Sequence, residues 1–254
     1  MLRTGTVTAP FPRSLGRDVR GNESVIACPF LTVGCGWPPP LPEEGTEVCN
    51  WLTAKGVTCA VLKYRVPSSG PYWADECNCA RKPSVPMALQ DAQRAMGLLR
   101  EQAQTLGVDL HKIGVIGFSA GGRMVAEISN TPKRSYQPID AADRRSSRPD
   151  FAIALYPRHL WTGPGLTLMP GVKIAANAPP TFIVQTQDDA TDDIRESLTY
   201  YLALSLAKVP VEMHLFAKGG HAFGLRATDN PVTNLPDIAE KWLVTIGALP
   251  AVRR

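Results

Sequence analysis

Six short apolar runs, separated by stretches of helical periodicity, restrict the folds open to this chain more than any other feature. They are Ser24–Cys28, Val57–Tyr64, Ile113–Phe118, Phe151–Tyr156, Thr181–Gln185 and Val211–Phe216. None alternates strictly between apolar and polar residues, which is the pattern of strands covered on both faces. Between them, Gly45–Lys55 places Val48, Trp51 and Leu52 on one helical face. Val85–Leu106 repeats Ala88, Leu89, Ala92, Ala95, Met96 and Leu99 at helical spacing, and Arg195–Lys208 does the same with Leu198, Tyr201, Leu202 and Leu206. Asp237–Ile246 reads as a closing helix. Strands alternating with helices predict an α/β architecture built on a doubly wound, mostly parallel sheet. A length of 254 residues suits one domain, assigned to residues 24–254, with residues 1–23 as a poorly defined N-terminal segment.

The third run leads directly into Gly117-Phe118-Ser119-Ala120-Gly121, and Gly122-Arg123-Met124-Val125-Ala126-Glu127 continues as the first turns of a helix. G-x-S-x-G between a strand and a helix is the signature of a nucleophile elbow: a tight turn lifts the serine hydroxyl clear of the sheet. Small neighbours relieve the crowding, and the helix aims its first N–H groups at the place where negative charge would develop.

A serine hydroxyl needs a base and an orienting acid to become a nucleophile, and behind such an elbow they follow in the order Ser, Asp or Glu, His. The chain has four histidines. His111 lies in a polar connection and reads as solvated, and His214 falls within a strand and reads as packed or edge-facing. His159 follows the fourth run and is placed to line a pocket, but it precedes any acid in chain order. His221, among glycines just past the last run, is the candidate base at the edge where open α/β sheets bind ligands. Four carboxylates crowd the loop after Thr181–Gln185: Asp188, Asp189, Asp192 and Asp193. Most of them read as helix-capping or solvated charges. The position just past the strand narrows the acid to Asp188 or Asp189.

Lys and Arg number 27 against 23 Asp and Glu, and the resulting charge of +4 is scattered rather than gathered into a basic stripe. Nucleic acid is therefore not an expected partner. No stretch approaches the roughly 20 apolar residues of a membrane span, and the N-terminus lacks the apolar core of a signal peptide, so a cytoplasmic location is the default expectation. All six cysteines fall in the first third. Cys28, Cys49 and Cys59 sit in apolar patterns and are expected to pack as small hydrophobes. Cys77-Asn78-Cys79 lies in a polar loop, open to metal binding or a disulfide, but one C-x-C without partners defines neither. No metal or organic cofactor is called for.

Several segments together resemble the small α/β-hydrolase esterases related to acetylxylan esterases: Val61-Leu62-Lys63-Tyr64-Arg65, Ile116-Gly117-Phe118-Ser119-Ala120-Gly121-Gly122, Pro179-Pro180-Thr181-Phe182, Asp188-Asp189, Tyr200-Tyr201-Leu202-Ala203-Leu204, Lys218-Gly219-Gly220-His221 and Gly224-Leu225-Arg226. The resemblance implies an α/β-hydrolase sheet with a minimal lid, since Arg158–Pro179 is too short for a helical cap. An open site of that kind favours bulky or polymeric esters. It also implies Ser119 as nucleophile, His221 as base, and the second paired aspartate, Asp189, as the acid. The substrate implied is a small-molecule or carbohydrate ester carrying a short-chain acetyl or aryl acyl group. Of the two oxyanion donors such chemistry requires, one is expected at the Ala120 N–H. The other belongs to the loop after the first strand, where relatives carry glycines. Here the chain reads Phe30-Leu31-Thr32-Val33-Gly34-Cys35-Gly36-Trp37. Phe30 or Leu31 is then expected to donate, with Phe118, His159 and Phe223 as pocket residues. Two other readings compete: a non-catalytic or weakly active hydrolase-fold protein, prompted by that loop, and a serine peptidase of the prolyl-oligopeptidase type, which shares fold and triad. The composition does not define the oligomeric state.

Overall fold

The computed structural model describes residues 44–65 and 86–250, together with the backbone pairing of residues 30–33, 73–74 and 79–80. Strand β1 (Phe30–Val33) is followed by helix α1 (Thr46–Thr53) and β2 (Cys59–Leu62). A two-residue ribbon, β3 (Trp73–Ala74) with β4 (Cys79–Ala80), precedes α2 (Pro86–Glu101) and α3 (Ala103–Leu106). Then come β5 (Gly114–Phe118), α4 (Ala120–Asn130), β6 (Phe151–Leu155) and a second ribbon, β7 (Trp161–Thr162) with β8 (Thr167–Leu168). The chain finishes with β9 (Thr181–Thr186), α5 (Ile194–Leu206), β10 (Val211–Phe216) and α6 (Leu235–Thr245).

Six of these strands form one parallel sheet in the order β10-β9-β6-β5-β1-β2. Strand order reverses between β1 and β5: the chain first moves outward to β2, then returns to the other side of β1 and proceeds to β10. In open α/β sheets the crevice at such a reversal, beyond the carboxyl ends of the strands, is where ligands bind. The elbow at the end of β5 opens onto it.

The missing alternation in the apolar runs has a direct cause. Every residue of β5, β6 and β9 is buried, because helices cover both faces. Ile116, Phe118, Phe151, Ile153 and Leu155 pack with Val48 and Leu52 of α1 and with Trp242 and Leu243 of α6. On the other face, Val115, Ala152 and Ala154 pack with Ala88, Ala92, Ala95 and Met96 of α2 and with Met124, Val125 and Ile128 of α4. The alanines along α2 let that helix lie close to the sheet. Each fully buried large apolar side chain contributes about 1.5–3 kcal/mol, so interleaving on both faces is what makes the register unique. The edge strand β10, by contrast, has exposed positions at Glu212 and Leu215.

Three expectations change. The segment Ser24–Cys28 lies outside the described residues, and the strand that pairs with β2 and β5 is Phe30–Val33. Proline at 29 has no N–H for a ladder, and Phe-Leu-Thr-Val after it is rich in β-branched and aromatic residues. The helix expected over 85–106 breaks at Gln102 into α2 and α3, and Gly107, with φ 66°, stops it. Cys49 and Cys59 do not pack as free thiols: they form a disulfide, Cα–Cα 5.3 Å, that staples α1 to β2. Closing a loop of 10 residues removes denatured-chain entropy equivalent to about 2–3 kcal/mol. The double variant Cys49→Ala/Cys59→Ala is expected to lose that much in equilibrium denaturation, and reductant should lower the wild-type midpoint by a matching amount while leaving the variant unmoved.

Candidate active site

The turn after β5 is held in a conformation few residues adopt. Ser119 has φ 50° and ψ −114°. Its N–H donates to the Leu155 carbonyl of β6 (3.0 Å), and its own carbonyl accepts from Arg123 N–H (3.2 Å) and Arg158 N–H (3.3 Å). The turn closes only because Gly117 and Gly122 lack side chains. A Cβ on Gly117 would stand 2.3 Å from the Gly121 carbonyl oxygen, and one on Gly122 2.8 Å from Pro157 Cα. Helix α4 starts at the next residue, Ala120, so its first N–H groups have no partner within the helix. Positive φ recurs nearby in Tyr156 (36°), His159 (57°) and Ala222 (57°). With Ser119, these are four of the five non-glycine residues of that kind among those described. Strain collected at one end of a sheet is maintained by the surrounding structure and marks functional sites.

Loops from β9 and β10 bring the other groups to the same edge. His221 Nδ1 lies 2.8 Å from Asp189 Oδ2. The other Asp189 oxygen accepts the N–H groups of Thr191 (2.8 Å) and Asp192 (2.9 Å). An ionised carboxylate can only accept, so this contact keeps a proton on Nδ1 and leaves Nε2 as the ring's free base. Asp188 serves a different purpose: its Oδ1 accepts the Gly220 N–H (2.8 Å) and tethers the histidine loop. Thr186 Oγ1 adds a bond to the Gly220 carbonyl (2.6 Å). Asp193 caps α5, accepting Arg195 N–H at 2.8 Å, and the Arg195 guanidinium brings its carboxyl down to about 2.

Asp192, grouped from the sequence with capping and solvated carboxylates, is neither. It is 4% exposed, and burial pushes its carboxyl above the ordinary aspartate range. Ser119 Oγ donates to Asp192 Oδ2 at 3.2 Å, and His221 Nε2 stands 3.7 Å from that same oxygen. The hydroxyl of the candidate nucleophile and the free nitrogen of the candidate base thus both face one carboxylate oxygen. Arg158, which sequence reasoning also passed over, sets its Nε 3.4 Å from the other oxygen.

Beneath the imidazole lies Tyr156, its ring edge-on at 4.9 Å, itself backed by Phe223 at 4.6 Å. The Tyr156 hydroxyl donates to Glu44 Oε1 (3.2 Å), and burial, reinforced by that carboxylate, pushes its pKa well up. Phe223 therefore supports the histidine from inside the core instead of lining a pocket. Phe118 is also a core residue: fully buried, it shares a face with Ile116 and packs on Tyr156 at 5.9 Å. His214 bonds to Glu212 (2.8 Å) and rests against Phe182, and His111 sits exposed in a turn, so neither approaches the elbow. Phe30 and Leu31 lie inside β1, paired with Gly114 and Val115. That places them four to five residues below Ser119 along the sheet, roughly 13–16 Å at 3.3 Å per residue. They are too far away to serve as oxyanion donors. Val33, opposite Gly117, is the residue at which β1 reaches the level of the elbow.

His159 is next to the site without being part of the Ser119–Asp192–His221 cluster. Its carbonyl accepts from the buried Arg123 guanidinium, which also pairs with Glu127 (2.9 Å). Burial, then the charges of Arg158 and Arg123, lower its imidazole pKa to about 4 from the ordinary 6.5. Between these values the unfolded chain takes up a proton that the folded one refuses, so stability falls as pH drops from about 6.5 toward 4. His159→Asn, tolerated at positive φ, should lose less of its melting temperature between pH 7 and pH 5 than the wild type does, when both are followed by tryptophan fluorescence.

A strained serine at the switch point of a parallel sheet, with an aspartate-bound histidine delivered by the last strand's loop, is the arrangement of an α/β-hydrolase fold, and the chain is similar to esterases that share it. Comparison with known proteins agrees. The acetyl ester-xyloside bifunctional hydrolase of Caldicellulosiruptor lactoaceticus superposes with a TM-score of 0.73 at 28% identity, covering 91% of this chain and 86% of that one. A thermophilic esterase of Thermogutta terrifontis gives 0.71 at 23% identity, covering 90% and 86%. In sequence, the chain is 23% identical over 217 residues to an acetylxylan esterase of Xylanibacter ruminicola and 27% identical over 219 residues to endo-1,4-beta-xylanase B of Butyrivibrio fibrisolvens. These alignments cover 81% and 76% of this chain but only 42% and 32% of the relatives. The profile of the BD-FAE family matches residues 75–154. No helix among the described residues is long and apolar enough to cross a membrane.

Proposed function

We propose that this chain is a serine carboxylesterase acting on short-chain or carbohydrate-linked acyl esters, with Ser119 as nucleophile, His221 as base and Asp189 as its orienting acid. The observation that carries this reading is the Asp189–His221 contact of 2.8 Å, with the ring's second nitrogen facing the oxygen that holds the Ser119 hydroxyl. For catalysis the Ser119 hydroxyl leaves Asp192 and donates to Nε2 instead. His221 then takes the proton as the oxygen attacks the ester carbonyl and returns it to the departing alcohol. Water, deprotonated by the same nitrogen, releases the acid. The tetrahedral oxyanion is received by the Ala120 N–H at the start of α4 and requires a second donor beside it.

Supporting this assignment, the Thermogutta esterase that shares the fold has been captured phosphorylated by paraoxon. The names of the relatives point to acetylated xylan as the first natural substrate to try. The test is hydrolysis by the purified chain of 4-nitrophenyl acetate, butyrate and octanoate, of methyl ferulate and of acetylated xylan. Acetate is expected to be preferred over octanoate, and failure on every ester would favour a non-catalytic protein. The Cys49–Cys59 bond bears on location: disulfides persist in oxidising compartments and are rare in the cytosol. We infer export in place of the cytoplasmic default, and a thiol-blocking assay on cell fractions decides it.

A further inference from the structure

Basic residues far apart in the sequence converge at one place in the fold. A cavity of about 390 Å³, in the size range of small-molecule sites, opens between the turn before β5 and the loop before β6. Arg100, Arg144, Arg145 and Arg148 line it, with the ring of His111 and one carboxylate, Asp150. It lies at the opposite end of the sheet from the elbow. Asp150 N–H donates to the Ile113 carbonyl (2.8 Å) ahead of β5, whereas Ser119 follows that strand, roughly 20 Å away at 3.3 Å per residue. The ester chemistry proposed above makes no use of it.

Its walls are fixed and its charge is not balanced. The buried Arg100 guanidinium donates to the carbonyls of Leu110, Ser146 (3.0 Å) and Arg148 (2.6 Å) and pairs with Asp150 (3.0 Å). One side chain thus holds both segments in place and occupies the cavity's carboxylate. The arginines around it are matched with acids: Arg94 with Asp140 and Asp143, Arg134 with Asp143, and Arg145 with Glu101 (2.7 Å). Two are not. Arg148 donates only to the uncharged Asn177 carbonyl (2.9 Å), and the exposed Arg144 side chain has no partner among the described residues. Like charges gathered without acids repel one another. An oxyanion supplies what they lack, because a guanidinium fork takes carboxylate or phosphate oxygens two at a time. We propose that this cavity binds a small anion with two or more charged oxygens, a phosphate or a polycarboxylate, at a site separate from the active centre. Arg144 and Arg148 hold the anion, and Arg100 fixes the loops that present them, so little ordering is needed on binding.

The experiment titrates the purified chain calorimetrically with sodium pyrophosphate and, separately, with sodium citrate, at an ionic strength held near about 0.1 M with sodium chloride. At least one probe is expected to bind once per chain with Kd at or below about 1 mM, and the tighter of the two distinguishes phosphate from carboxylate recognition. Arg144→Gln, which removes a charge and no internal bond, should raise that Kd at least about fivefold, and Arg144→Gln/Arg148→Gln at least about thirtyfold. Lys173→Gln/Lys241→Gln removes the same net charge at exposed positions elsewhere and should leave Kd within about twofold. Circular dichroism confirms that each variant is folded. Absence of saturable binding of either probe overturns the proposal. So does equal weakening in the arginine and lysine pairs, which would mean general charge attraction, and so does binding unchanged in both arginine variants, which would place the anion elsewhere. The titration reads binding without turnover, so its outcome is independent of the esterase reading.

Discussion

Ser119→Ala is expected to lower kcat for 4-nitrophenyl acetate by at least about four orders of magnitude without disturbing the fold. The elbow's φ of 50° is already borne by a residue with a Cβ, so alanine adds no backbone strain, and the backbone bonds to Leu155, Arg123 and Arg158 persist. What disappears is the hydroxyl oxygen proposed to attack. A weaker effect, within about tenfold, would mean that the acyl group is transferred directly to water and that the elbow is a structural turn.

The second large effect separates two neighbouring carboxylates. Asp189→Asn should reduce kcat by about three to four orders of magnitude, because an amide beside Nδ1 no longer fixes the tautomer that leaves Nε2 free, nor stabilises the imidazolium that forms. Its oxygen can still accept the N–H groups of Thr191 and Asp192, so the loop keeps its shape. Asp188→Asn should stay within about tenfold of the wild type, since an amide oxygen still accepts the Gly220 N–H. Measured side by side on one ester, the two variants state which carboxylate is coupled to the chemistry. Equal losses would mean that both act through the loop geometry alone.

The sheet was legible in the sequence because covered strands leave continuous apolar runs, and β5, β6, β9 and β10 lie where those runs are. The elbow was legible because its glycines answer a local steric demand. The first strand was not: the apolar run expected at Ser24–Cys28 lies outside the described residues, and the strand that pairs with β2 and β5 is Phe30–Val33, which no periodicity singles out. That shift carried the expected oxyanion donors away from the site. Phe118 and Phe223 adjoin functional positions in sequence, yet strand parity turns the first into the core and the second backs Tyr156. The loop Asp188–Asp193 has no periodicity to read, so the four roles of its aspartates arise from what β10, α5 and the residues after β6 bring alongside. The Cys49–Cys59 bond likewise depends on how α1 folds back on β2.

The most direct test of the central claim is covalent. The folded wild type, incubated with an organophosphonate ester and digested, should carry one phosphonyl group, located by peptide mass mapping on Ser119, and His221→Ala should label at least about a hundredfold more slowly. A folded wild-type protein that stays unlabelled, or is labelled at another residue, contradicts the account.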